Sequence, residues 1–97
     1  MIDTILTRRP ICEVCWSRPA TQLHHCLVHR MKGHPELTCE ENLQPICERC
    51  HTSGEQRANS MENRIAFANI QIERGFKIGE WYRSLPLKVK EHWLEVL

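Results

Sequence analysis

Met61, Ile65, Ala68 and Ile72 recur three or four positions apart, the spacing that lines one face of an α-helix. Asn59 with Glu62 three positions later reads as an N-cap, and Gly75 as a C-terminal stop, so a helix is expected to run to about Arg74 with that apolar face inward. Upstream the pattern shortens. Thr21 to Val28 has strand-like content, and Asn42 to Ile46 reads as a short returning strand whose Pro45 confines it to an edge. His29 to Glu41, with Gly33 and Pro35, reads as the loop between them. Residues 10–20 form a turn-rich knuckle, and Cys47 to Arg57 turns through a second knuckle into a helix that bears His51 and is interrupted at Gly54. A final helix is expected from Pro86 onward, with Val89, Trp93 and Leu97 on one face. Trp81, Tyr82 and Trp93 are expected to complete the core against the Met61–Ile72 helix. The class is α+β in a single domain over residues 1–97, with 12–57 as its core and 58–97 as a helical extension.

A chain of 97 residues buries a modest share of its surface, which calls for a staple. Hydrophobic content of 41% with only four glycines favours a folded globule over a disordered tail. Six cysteines admit either a disulfide framework or metal ligation. The opening MIDTILTRRP lacks the basic start and apolar run of a secretion signal, and no apolar stretch is long enough to cross a membrane. A cytoplasmic setting follows as the expectation, and there paired cysteines serve as zinc ligands.

The formal net charge of +1 is unlike that of a strongly basic nucleic-acid binder, but the charge is unevenly spread. Residues 1–34 carry five basic against two acidic side chains, a net of +3; residues 35–63 carry two against six, a net of −4. A basic amino-terminal third can meet phosphates, because local charge steers partners more than the total does. Arg30 and Lys32 are candidate phosphate contacts within it.

Two Cys-x-x-Cys pairs, Cys12/Cys15 and Cys47/Cys50, supply the four thiolates of a tetrahedral structural zinc. Each pair presents two sulfurs from one tight turn, and metal bound between distant turns contributes its binding free energy to folding. Cys26 and Cys39 lack the spacing and read as free thiols.

The segments LHHCLVHR and EENLQPICERCH resemble the HNH endonucleases, whose active site is a ββα-metal motif related to treble-clef zinc folds. The resemblance rests on His24 directly before His25, then a loop, then Asn42, then His51 immediately after Cys50, and it covers residues 12 to about 57. It implies that His25 is the general base, that His24 and His51 hold one catalytic divalent ion, and that Asn42 fixes the loop that positions the base. Adjacent strand residues point to opposite faces, so neighbouring histidines can take different roles. Imidazole accepts a proton near neutral pH, and a divalent ion stabilises charge on phosphorus-bound oxygens. Other members carry aspartate where His24 stands; two imidazole ligands favour softer transition ions, leaving Mg2+, Mn2+, Ni2+ or Zn2+ as candidates. Glu55, one turn after His51, is a candidate carboxylate beside the ion, whereas His29 and His34 read as exposed loop residues.

The expected activity is therefore metal-dependent hydrolysis of DNA phosphodiester bonds, leaving 5′-phosphate and 3′-hydroxyl ends. Small members are often phage-encoded and some work beside a DNA-packaging terminase, so a bacterial or phage-infected cytoplasm, a terminase-like partner or a homodimer is what the resemblance implies. The competing expectation is a non-catalytic zinc module that binds DNA or protein and keeps the motif only as scaffold.

Overall fold

The two strand-like stretches meet as an antiparallel hairpin. In the computed structural model, which describes residues 2–51, 58 and 60–89, β1 (Gln22–His25) pairs with β2 (Leu43–Ile46) in a register that sets His24 opposite Gln44 and His25 opposite Leu43. Both strands are shorter than the β-rich stretches that suggested them. A two-stranded sheet is all edge, which admits Pro45, and the outer side of β2 is covered by the first knuckle through Glu13 N–H to Pro45 C=O at 2.8 Å. Every residue of β2 is accordingly buried.

A helix precedes the first knuckle where none was expected. α1 (Ile2–Arg8) is too short to be stable alone and is held by its burial of Ile5 and by Arg9, which donates to Leu43 C=O at 2.9 Å. Pro10 cannot extend it. The loop between the strands contains a single 3-10 turn, Pro35–Leu37, whose Leu37 is buried with Val28, Leu85 and Val89. α2 (Glu48–His51) follows β2 through the second knuckle.

The long helix, α3 (Met61–Glu73), lies where periodicity placed it but is rotated, so that of the expected inner face only Ala68 is half-buried, against Cys26, Leu27 and Phe67. Met61, Ile65 and Ile72 face solvent, at 43%, 56% and 56% exposure, while Asn63, Arg64, Phe67 and Gln71 are buried. The reason is the surface it packs on. Gln44 is buried in β2, and its amide forms a reciprocal pair with Asn63 at 2.8 and 3.0 Å. Gln71 donates to Glu40 C=O at 2.8 Å and accepts from Arg9 at 3.1 Å. Buried amides and carbonyls require partners, and a polar helix face supplies them at less cost than an apolar one. Only Phe67 on this face is a conventional core residue, packed with Cys26 and Leu27. Cys26 also receives Asn63 Nδ2 at 3.6 Å, and burial pushes its thiol up to about 12.

Ser60 caps α3, its hydroxyl accepting from Asn63 N–H at 3.1 Å; Asn59, the expected cap, lies outside the described residues. The C-terminus is as expected. Gly75, at φ +98°, and Phe76 donate to Ile72 and Gln71 carbonyls in a Schellman arrangement, a backbone conformation that favours glycine. α4 (Ile78–Ser84) was not legible in the sequence; its Trp81 packs on both small apolar clusters, so Trp81 and Tyr82 do complete the core. Residues 87–89 are helical after Pro86, while Trp93, Leu97, Gly54 and Glu55 lie outside the described residues. No described helix is long and apolar enough to cross a membrane.

Candidate metal centre and histidine cleft

The first knuckle is closed by backbone bonds that aim its sulfurs inward: Cys12 N–H to Arg18 C=O at 2.9 Å and Trp16 N–H to Cys12 C=O at 2.9 Å. The turn forces Trp16 to φ +56°, a left-handed conformation that costs a bulky residue about 1 kcal/mol or more and glycine almost nothing. From the second knuckle, Cys47 leaves the end of β2 and Cys50 sits on α2. The ligand atoms of Cys12, Cys15, Cys47 and Cys50 all lie within 4.8 Å of one another, and Cys15 Sγ is 3.9 Å from Cys47 Sγ. A tetrahedron with metal–sulfur bonds of about 2.3 Å has edges of about 3.8 Å, so the group fits one zinc-sized ion. Among the described residues it is the one set of three or more ligand side chains gathered this closely.

The surroundings favour thiolates. Val14 N–H points at Cys12 Sγ at 3.4 Å, and Arg18 Nη1 lies 3.7 Å from Cys15 Sγ. Burial pushes the Cys15 thiol up, but the N–H groups of Ser17 and Arg18 together with hydrogen bonds from Cys12 and Cys50 bring the thiol down to about 6. Cys50 is driven the opposite way by burial and by the neighbouring sulfurs. Four sulfurs this close repel one another when ionised, and a dication relieves that repulsion.

Successive helical residues differ by about 100° in direction, so α2 serves two sites at once. Cys50 faces the sulfur cluster. His51 faces a separate cleft of about 340 Å³ lined by Leu23, His24, His25, His29, Arg30 and His51. His24 is buried; its Nε2–H donates to Ala58 C=O at 3.1 Å, which leaves Nδ1 as the lone-pair nitrogen, and its ring lies 5.7 Å from that of His51. Burial and the facing His51 and His29 rings bring the His24 imidazole down to about 4. His51 Nδ1 is buried and has no hydrogen-bond partner.

His25 lines the same cleft but has a different partner from its strand neighbour: its Nε2 lies 2.9 Å from Thr38 Oγ1. Burial, followed by the charge of Arg30, holds its imidazole below the ordinary value. Asn42 is fully buried and uses its whole amide: Oδ1 accepts from Leu27 and Val28 N–H at 2.9 Å each, and Nδ2 donates to Val28 and Leu37 carbonyls at 2.8 Å each. It ties both ends of the loop that carries His29, Arg30 and Lys32 to the base of β2.

The expectation that His29 is an exposed loop residue fails. It is half-buried, its ring 6.3 Å from His24, and Arg64 of α3 donates to its Nε2. Thr38, His29 and Arg64 carried no signal in the sequence, since each acts through a partner far along the chain. His34 behaves as expected only in part: it is half-buried and pairs with Glu36 at 2.7 Å. Arg30 and Lys32 are exposed on the same loop, while Cys39 is half-buried. Compared with protein families, with curated proteins and with solved structures, the chain matches none.

Proposed function

We propose that this chain is a small metal-dependent endonuclease of the HNH type, stapled by a four-cysteine zinc and hydrolysing DNA phosphodiester bonds. The observation that carries the reading is the convergence of His24, His25 and His51 on one cleft, with Asn42 bonded across the loop behind them. Residues distant in sequence arrive there with different partners, as distinct chemical roles require.

With its proton on Nε2 and donated to Thr38 Oγ1, His25 presents the Nδ1 lone pair as general base toward a water in line with the phosphorus. His24 Nδ1 and His51 Nδ1 are the nitrogens that would hold a divalent ion, since Ala58 occupies His24 Nε2 and nothing occupies His51 Nδ1. When bound, such an ion supplies Lewis-acid stabilisation of the charge that builds on the phosphoryl and leaving oxygens. Arg30, at the rim of the cleft, orients the phosphate, and Asn42 keeps the whole loop in register with β2. The products would carry 5′-phosphate and 3′-hydroxyl ends.

The test is nicking of supercoiled plasmid with Mg2+, Mn2+ or Ni2+. Wild type is expected to convert it to open circles, and His25→Ala to lose this by a factor of about 10² or more. Undiminished nicking by His25→Ala sinks the assignment. A second reading, a non-catalytic zinc module, draws on the four-cysteine cluster being the one close multi-ligand group among the described residues. It predicts one zinc per chain and no further site on manganese titration. A homodimer or a terminase-like machine would be additional partners, and a native mass measurement addresses the first.

A further inference from the structure

Beside the histidine cleft lies a second concavity, of about 520 Å³, built by the loop from Arg30 to Thr38. The two adjoin: Arg30 lines both, and Thr38 lines the second while bonding His25 of the first. Its rim is basic, with Arg30 and Lys32 exposed and making no ion pair with a described residue, and its walls include the apolar Met31 and Pro35. Glu36, the one acidic residue of the segment from Arg30 to Thr38, pairs with His34. The concavity is built into the fold rather than improvised by a loose loop. Asn42 clamps Val28 and Leu37 at its two ends, both residues are buried, and Gly33 at φ +82° makes the turn between them.

A duplex backbone lying across a surface asks only for positive charge. A recess with apolar walls beneath a cationic rim asks for more: a flat ring or sugar below and a phosphate above. We infer that this recess holds the nucleotide next to the cleaved phosphate in an unpaired, unstacked state, with its phosphate on Arg30 and Lys32 and its base against Met31 and Pro35. The inference rests on the nucleic-acid part of the proposed function and makes that function selective for DNA with a locally opened strand. Taking a base out of a paired stack costs a few kcal/mol, which a preformed unpaired nucleotide avoids.

The test uses the full chain carrying His25→Ala, confirmed to retain its metal and its melting transition. Fluorescence anisotropy compares a fully paired duplex with the same duplex holding one unpaired nucleotide. The unpaired form is expected to bind at least about tenfold tighter, the ratio that corresponds to about 1.4 kcal/mol of avoided unstacking. The further pair Arg30→Ala with Lys32→Ala should flatten the slope of log affinity against log salt by about 1.8 on the duplex carrying the unpaired nucleotide. Pro35→Glu, at an exposed position that opens a 3-10 turn, should remove the tenfold preference without changing the melt. Equal affinity for the two DNAs overturns the inference, as does an unchanged salt slope in the double variant. The two readings fail separately: preference for the unpaired site in a wild-type protein that never nicks plasmid supports the recess and refutes hydrolysis, whereas nicking without preference does the reverse.

Discussion

Asn42→Ala tests the scaffold directly. The side chain is fully buried and makes four hydrogen bonds between 2.8 and 2.9 Å, two as acceptor and two as donor, to the backbone of Leu27, Val28 and Leu37. A net contribution of about 1 kcal/mol per bond gives a loss of about 4 kcal/mol, and the stranded N–H groups of Leu27 and Val28 push it higher unless water enters. Small domains have about 5–15 kcal/mol in all, so the variant should sit near the edge of stability. Asn69→Ala, on the exposed face of α3, is the matched control and should change stability by less than about 0.5 kcal/mol. Denaturant unfolding of the metal-loaded protein measures both, and amide hydrogen exchange at Leu27 and Val28 reports whether their protection depends on the Asn42 carbonyl. A loss below about 1 kcal/mol, or unchanged protection of those two amides, refutes the claim that Asn42 clamps the loop.

Removing metal with a chelator should abolish the cooperative melt, since structural zinc contributes on the order of 10 kcal/mol to domains of this kind; elemental analysis should give one zinc per chain, and Cys47→Ser should mimic the chelator. A chelated protein that keeps its melting transition contradicts this. On α3, Phe67→Ala should cost about 3–5 kcal/mol because Phe67 is fully buried, whereas Ile65→Lys should cost less than about 0.5 kcal/mol. The opposite ranking in denaturant unfolding would restore the helix orientation that periodicity suggested. Thr38→Val should leave stability nearly unchanged, Thr38 being exposed, but slow plasmid nicking about tenfold by freeing the His25 ring. A rate equal to wild type removes Thr38 from the site.

The sequence by itself determined the elements whose causes are local. Cys-x-x-Cys turns need only their own few residues to aim two sulfurs, so the four cysteines of the candidate metal centre were legible from spacing, as were the hairpin and the Gly75 stop. The sequence offered His24, His25, Asn42 and His51 only as a pattern of residue types; that the three histidines line one cleft and that Asn42 bonds the backbone of the loop is geometry. Tertiary structure decided everything that depended on which surface faces which. Apolar periodicity identifies the inner face of a helix only when the surface opposite is apolar. Here α3 lies over Gln44 and the Glu40 and Glu41 carbonyls, so its polar side turned inward and Met61, Ile65 and Ile72 turned out. The same long-range pairing drew Arg64 to His29 and Thr38 to His25. A hydrogen bond between residues thirty-five apart, as Arg64 and His29 are, leaves no periodic trace in the chain, because its energy depends on where the backbone has already brought the two groups.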